Sequence, residues 1–116
     1  MMKENVVKDK SFAFAVRIIN LYKILTQEKK EYVMSKQLLR SGTSVGANIE
    51  EAIGGISKKD FRAKMSISYK EIRETTYWLR LLQATDYLEK QDFDSLFNDA
   101  DELGKLLYTI IKSSKQ

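Results

Sequence analysis

The chain of 116 residues contains no cysteine, no proline and no histidine. Without cysteine it forms no disulfide bonds and has no thiolate chemistry. Without histidine it lacks the commonest metal ligand and the usual general base near neutral pH. The absence of proline, which breaks helices, is typical of long uninterrupted helices. The composition therefore favours an all-α protein and removes several common catalytic groups.

Long apolar runs are missing as well. No segment approaches the ~18 consecutive apolar residues of a membrane-spanning helix, and residues 1–10 lack the apolar core of a signal peptide. We therefore expect a cytoplasmic protein without a membrane partner. The length of 116 residues favours a single domain that spans residues 1–116.

Apolar periodicity predicts four helices, at about residues 9–27, 35–53, 58–88 and 92–112. Because short connections make neighbouring helices antiparallel, the expected fold class is an all-α, antiparallel up-and-down four-helix bundle. The first helix carries two apolar stripes, which are Phe12, Val16, Ile19 and Tyr22 on one side and Phe14, Ile18, Leu21 and Leu25 on the other. A helix that is apolar on two sides is expected to be largely enclosed.

The second helix is rich in small and hydroxyl residues between residues 40 and 52. It contains Gly42 and Gly46, one turn apart, although a glycine destabilises a helix by roughly 1 kcal/mol relative to alanine. We expect these two glycines to let the backbone of the second helix approach a neighbouring helix closely.

The formal net charge of +4 hides an uneven distribution. Residues 86–102 hold seven acids and one base, a balance of −6, and the rest of the chain holds 19 bases and nine acids, a balance of +10. This separation predicts a basic surface patch and charge-complementary contacts between copies of the chain.

The segment RSGTSVGANIEEA at residues 40–52 resembles a motif of the small four-helix-bundle proteins encoded in intervening sequences of bacterial 23S ribosomal RNA genes. The resemblance continues through residues 57–61, 66–71 and 74–79 and fades along the fourth helix. It implies a closed ring of five subunits. It also implies kinship with the accessory protein of diversity-generating retroelements, a basic pentamer that binds nucleic acid and its reverse transcriptase. No enzymatic activity comes with the family.

A basic surface on the third helix is the candidate nucleic-acid site. Its central residues fall within about 40° of one another at ~100° per residue. The set comprises Arg62, Tyr69, Arg73 and Arg80, with Lys58 and Lys59 at the start of the helix and Lys29 and Lys30 in the first loop. Arginine binds phosphate through two parallel hydrogen bonds, and tyrosine stacks on an unpaired base. The pattern favours binding of RNA or DNA, and the alternative is an ordinary solvated helix face.

Four apolar residues lie off the main core stripes, namely Trp78, Leu81, Leu106 and Tyr108. A thin bundle cannot bury all of them, and exposed apolar patches usually mark an interface. We expect these residues to form the interface of a homo-oligomer. The alternative is that they widen the core.

A polar network is predicted from Arg40, Asn48, Glu51 and Glu74. A partly buried acid needs a counter-charge or hydrogen bonds, so such a network would specify the register of the helices. The alternative is that these charges are solvated.

An enzymatic alternative rests on Glu71, Glu74, Glu89 and Asp92, whose spacing resembles the magnesium site of all-α nucleotide pyrophosphohydrolases. The predicted helices separate Glu74 from Glu89 by about 22 Å, which is too far for one metal cluster. We therefore expect no enzymatic activity, no bound metal and no cofactor.

Two hypotheses for the function remain open. The leading one is a non-enzymatic, oligomeric bundle that binds nucleic acid as an accessory factor in a ribonucleoprotein. The competing one is a structural or protein-adaptor oligomer that recruits another protein through an apolar groove or through the acidic residues 86–102. Nucleic acid that copurifies with the protein would favour the first, and clean protein of ring-sized mass would favour the second.

Overall fold

The computed structural model describes residues 2–114, with side chains from residue 5 onward. Over this part of the chain all regular structure is helical, with α1 at Met2–Gln27, α2 at Met34–Ile53, α3 at Lys58–Ala84 and α4 at Lys90–Ser113. Each helix packs against the next and α4 returns to α1, while the diagonal pairs have no Cα atoms within 8 Å in the described residues. The bundle measures 46 × 21 × 18 Å. The predicted all-α fold of four helices is confirmed.

The first helix is longer than predicted. It begins at Met2 rather than near residue 9. Val7 is fully buried and lies seven residues before Phe14, so it continues the buried stripe by two more helical turns. The burial of Val7 agrees with the early start of the helix.

The third helix is shorter than predicted. It ends at Ala84, because Asp86 has a left-handed backbone with φ of 71°. The amide of Tyr87 donates to the carbonyl of Leu82 at 2.9 Å, which closes the helix with a left-handed cap. Leu88 is still buried, but it reaches the core from the loop rather than from the helix.

The core is lined by one apolar face of each helix. Its largest fully buried side chains are Val7, Phe14, Ile18 and Leu25 from α1, Leu38 and Ile49 from α2, Met65, Ile72, Leu79 and Leu82 from α3, and Leu103 and Leu107 from α4. Burying each such side chain stabilises the fold by roughly 1.5–3 kcal/mol. None of the described helices is both long and apolar enough to cross a membrane.

Buried hydroxyl groups join α2 to α3. Ser68 donates to the carbonyl of Val45 at 2.8 Å, and Thr75 donates to the hydroxyl oxygen of Ser41 at 3.0 Å. Within the described residues, every buried side-chain nitrogen or oxygen has a hydrogen-bond partner. Thr75 also bonds the carbonyl of Glu71 on its own helix at 2.8 Å. A shift of α3 along α2 would leave the buried hydroxyl of Ser68 unpaired, so the bond from Ser68 fixes the register of the two helices.

The start of α2 is capped by a carboxylate from the loop between α1 and α2. Glu31 is only 8% exposed. It accepts hydrogen bonds from the amides of Val33, Met34 and Ser35 at 3.1, 3.0 and 2.7 Å. Burial opposes ionisation of Glu31, but these amide hydrogen bonds outweigh it and hold its pKa below the ordinary value. The cap satisfies amides that a helix start otherwise leaves unpaired.

One apolar stripe of α1 is exposed, so the expectation that α1 is largely enclosed is wrong. Phe12 is 68% exposed, and Val16 and Ile19 are 44% and 38% exposed. These residues lie on the side of α1 that faces away from the buried Ile18, because only α2 and α4 pack against this helix. We call the three residues the α1 outer face.

The two glycines of α2 bring its backbone against α1, as predicted. A Cβ atom added at Gly42 would lie 2.9 Å from two carbons of Ile18. A Cβ atom at Gly46 would lie 3.3 Å from the hydroxyl oxygen of Ser11. Ile18 is fully buried and branched at Cβ, so it has little freedom to move aside.

Gly42→Ala is expected to lower the free energy of unfolding by about 1–2 kcal/mol, because overpacking against Ile18 outweighs the gain in helix propensity. Gly104→Ala is the matched control, since its Cβ would meet only Ile72 at 3.8 Å. That variant should be about 0.5–1 kcal/mol more stable than wild type. Urea unfolding at equal protein concentration measures both. Two shifts of the same sign would contradict the close α1–α2 packing.

Candidate nucleic-acid interface

A surface groove runs between α3 and α4. Its volume is about 600 Å³. It is lined by Tyr69, Ile72, Arg73, Thr76, Tyr77 and Arg80 from α3 and by Phe97, Ala100, Asp101, Gly104, Lys105, Tyr108 and Thr109 from α4. Small residues on α4 leave this space open, and aromatic and cationic side chains line it. We call it the α3–α4 groove.

The α3 wall alternates aromatic and cationic side chains. Tyr69, Arg73, Tyr77 and Arg80 follow one another at steps of four, four and three residues. Such steps keep side chains on adjoining turns of one helix face, at ~1.5 Å of rise per residue. Three of the four central residues predicted from the sequence, Tyr69, Arg73 and Arg80, therefore line the groove together.

Aromatic rings and cations contact one another at one end of the groove. The rings of Tyr69 and Tyr108 are tilted at 46° with centroids 6.2 Å apart. The guanidinium of Arg73 lies 5.9 Å from the Tyr69 centroid, and the Lys112 ammonium lies 5.6 Å from the Tyr108 centroid. Both separations are within the range of cation–π attraction.

The charge of the groove is positive. Three cations, Arg73, Arg80 and Lys105, face one carboxylate, that of Asp101. Asp101 pairs with Lys105 at 3.0 Å. Arg73 and Arg80 are exposed, and no carboxylate of the described residues lies within 4.0 Å of either guanidinium. The groove therefore presents two arginines with no acidic partner in the described chain.

The remaining residues of the predicted basic surface do not line the groove. Arg62 is half-buried and donates to the carbonyl of Ser114 at 3.0 Å, which ties α3 to the end of α4. Lys58 and Lys59 begin α3, ten or more residues before Tyr69, which corresponds to about 15 Å along the helix. Lys29 and Lys30 lie between α1 and α2, away from both walls of the groove.

The α4 wall of the groove was largely missed by the sequence analysis. Phe97, Gly104 and Tyr108 follow at steps of seven and four, which is the spacing of one helix face. Lys105 lies beside them. The spacing was visible in the sequence, but periodicity does not show which side of α4 faces the basic side of α3.

A second polar cluster lies between α2 and α3. Arg40 donates to both carboxylate oxygens of Glu71 at 3.3 Å and also hydrogen-bonds Glu74. Glu74 accepts a hydrogen bond from the indole nitrogen of Trp78 at 2.9 Å. The hydrogen bonds from Trp78 and Arg40 lower the pKa of Glu74, and the hydrogen bond to Glu74 raises the pKa of Arg40.

Asn48 and Glu51 do not join this cluster, so that part of the predicted network is wrong. Asn48 donates to the carbonyl of Ser44 on its own helix at 2.8 Å. Glu51 pairs with Lys64 at 2.9 Å. Eight and eleven residues separate Asn48 and Glu51 from Arg40, which amounts to about 12 and 16 Å along α2.

The predicted interface residues do not form one continuous patch on the single chain. Trp78 and Leu81 are half-buried on α3. Tyr108 is 52% exposed and lines the groove. Leu106 lies two residues away on α4, and side chains at that spacing do not share a helix face.

The acids of the enzymatic alternative are not brought together. Glu71 and Glu74 both engage Arg40. Glu89 stands at the start of α4, beyond the end of α3. Across the described residues, no three acidic side chains converge with the geometry of a metal site.

The fold and the groove define a class of small all-α bundles with a cationic, aromatic surface groove. The chain belongs to the 23S rRNA-intervening sequence protein family, which it matches over residues 3–109. A crystal structure of a protein with unknown function from the S23 ribosomal protein family of Bacteroides thetaiotaomicron is 58% identical, with a TM-score of 0.94. The match covers 95% of this chain and 98% of that one. No curated protein matches the sequence.

Arg40→Met is expected to destabilise the protein by about 1 kcal/mol at pH 7, the upper end for a solvent-screened ion pair. The pKa of Glu74 is lowered on folding by its hydrogen bonds from Trp78 and Arg40, so its stabilising contribution is present above the ordinary pKa of a glutamate and disappears as the pH falls through the folded value. The deficit of Arg40→Met should therefore shrink at about pH 3, as measured by urea unfolding at both pH values.

Lys64→Met is the control, because it removes the other ion pair between α2 and α3. Lys64→Met should lose less stability than Arg40→Met, since the Lys64–Glu51 pair has no tryptophan hydrogen bond to hold the carboxylate in place. An equal deficit for Arg40→Met at both pH values would contradict the role of the ionised Glu74.

Proposed function

We propose that this protein is a non-enzymatic, homo-oligomeric bundle of the cytoplasm that binds RNA or DNA through the α3–α4 groove. The observation that carries the proposal is the placement of Arg73 and Arg80, without acidic partners in the described chain, beside three exposed or half-buried tyrosines. Arginine forms paired hydrogen bonds with phosphate, and tyrosine offers a stacking surface for bases. The connection of the family with 23S ribosomal RNA intervening sequences supports a nucleic-acid partner.

The acidic stretch of the chain gives less support to the protein-adaptor alternative. Asp99 and Glu102 on α4 are paired with Arg17 and Lys10 of α1. These acids therefore hold two helices of the same chain together. The exposed positive groove is complementary to a polyanion, whereas the acidic stretch is partly neutralised within the fold.

Self-association is the second part of the proposal. The α1 outer face exposes Phe12, Val16 and Ile19. On the outward side of α3, Ile67 is 39% exposed and Leu81 is half-buried. The two apolar surfaces belong to α1 and α3, which do not contact each other within the described part of the bundle, so they are two different surfaces. Contact between two different surfaces is a head-to-tail contact, which closes into a ring when the rotation permits. Five subunits follow from the family resemblance.

Ring assembly would multiply the groove. Each subunit would contribute one α3–α4 groove, and linked weak sites bind one long partner more tightly than a single site does. The two parts of the proposal therefore support each other: assembly covers the apolar surfaces, and the repeated positive grooves supply the affinity for a polyanion.

The double variant Arg73→Glu/Arg80→Glu is expected to weaken nucleic-acid binding at least tenfold, because it replaces two phosphate contacts by repulsion. Binding is measured by fluorescence anisotropy of a labelled RNA over a range of salt concentrations, and the wild-type affinity should fall steeply with salt. The control is Lys23→Glu/Lys36→Glu, which makes the same charge change at exposed positions outside the groove. Equal losses in both double variants, or no RNA or DNA binding by wild type, would refute the proposal.

Self-association is tested with Val16→Glu on α1 and Ile67→Glu on α3. Wild type should sediment well above the 13.5 kDa of one chain, and each variant alone should sediment as a monomer, because a buried unpaired charge disrupts an apolar contact. A mixture of the two variants should form a dimer, since each retains one intact surface. Dimers of each variant alone would indicate like-with-like contacts, and a monomeric wild type at high micromolar concentration would refute assembly.

A further inference from the structure

We infer that the α3–α4 groove selects single-stranded nucleic acid, with an unpaired base against Tyr77 and flanking phosphates on Arg73 and Arg80. The inference rests on the proposed function and names the form of nucleic acid that the groove accepts. It follows from the order of side chains along the groove, from its size, and from the position of its one carboxylate.

The order of side chains suits a strand whose bases and phosphates are both accessible. Along α3, Arg73 precedes Tyr77 by about 6 Å and Arg80 follows it by about 4.5 Å. A phosphate at each arginine thus brackets a base at the tyrosine between them. In a duplex the bases are stacked and paired inside, so their faces cannot reach a protein ring, whereas every unpaired base offers one.

The rings are available for stacking. Tyr77 and Tyr108 are 50% and 52% exposed. Each is held by an aromatic neighbour: Tyr77 packs edge-on against Trp78 with centroids 5.2 Å apart, and Tyr108 packs against Tyr69. Rings that are already positioned lose little conformational entropy when a base binds.

The size of the groove favours a base over a double helix. A volume of about 600 Å³ falls within the range of pockets that hold small organic molecules. The walls are two directly packed helices, whose axes are typically about 8–10 Å apart. A duplex could rest only on the rim, where it would meet Arg73 and Arg80 but not the faces of the tyrosines.

Asp101 determines where along the groove a phosphate can lie. Three contacts give the antiparallel register of α3 and α4, namely Arg62 with Ser114, Tyr69 with Tyr108, and Ile72 opposite Gly104. In this register Asp101 lies opposite Thr76. This carboxylate is paired with Lys105, but it still makes the level between Arg73 and Arg80 less favourable for a phosphate than the positions of the two arginines. An uncharged base occupies that level more favourably than a phosphate, which agrees with stacking on the adjacent Tyr77.

The test compares three labelled probes of equal length by fluorescence anisotropy: single-stranded oligo(dT), a dA·dT duplex, and an abasic single strand with the same backbone charge. Wild type should bind oligo(dT) at least tenfold more tightly than either other probe. Tyr77→Leu/Tyr108→Leu should lose most of that preference, because leucine offers no ring on which a base can stack. Tyr77→Phe/Tyr108→Phe keeps both rings and should retain it.

The outcomes separate this inference from the proposed function. Equal binding of oligo(dT), duplex and abasic strand would overturn the inference and leave nucleic-acid binding intact. Oligo(dT) binding that is unchanged in the Tyr→Leu variant would also overturn it. If wild type binds none of the three probes and no RNA, both the inference and the proposed function are overturned. A protein partner would then be the remaining candidate for the groove. Circular dichroism of the variants checks folding, and the three-probe comparison on wild type decides the inference even if the leucine variant unfolds.

Discussion

The close approach of α2 to its neighbours is the constraint on which the rest of the structure depends. On one side Gly42 leaves no space between the α2 backbone and Ile18 of α1. On the other side Ser68 donates directly to the α2 carbonyl of Val45. Small residues at a helix contact give less apolar area than leucines would, but they fix distance and register through steric fit and hydrogen bonds. The position of α2 therefore sets the positions of α1 and α3.

The α4 helix completes the bundle by a different kind of contact. Its buried face is made of Leu103, Leu107 and Ala100, and Ala100 also lines the groove together with Gly104. Since Ala100 and Gly104 have little or no side chain, the surface between α3 and α4 stays open. The groove is thus a consequence of small residues on the side of α4 that meets α3.

Much of the fold could be predicted from the sequence, because apolar periodicity reports directly on which residues of a helix are buried. Helix ends were less predictable: α1 begins at Met2 with Val7 buried in the core, and Asp86 ends α3 by a left-handed backbone that no periodicity reveals. The α3 side of the groove could be predicted, since one helix determines its spacing. Its α4 side could not, because register between helices depends on packing. Asn48 and Glu51 were wrongly grouped with Arg40 because all three are polar. The helical rise of ~1.5 Å per residue places them too far along α2 to reach it.

The arginines show which charges the fold uses and which it leaves available. Of the five arginines in the chain, Arg17 bonds Asp99 and Ser95, Arg40 bonds two glutamates, and Arg62 bonds the carbonyl of Ser114. Each of these three joins two helices, so its charge is part of the fold. Arg73 and Arg80 have no such acceptor in the described chain, and both line the α3–α4 groove, which also exposes tyrosine rings. A role in stability accounts for the first three arginines, whereas for the last two it offers only the contact of Arg73 with the Tyr69 ring. Binding of an anionic, base-bearing partner accounts for both their exposure and their aromatic neighbours.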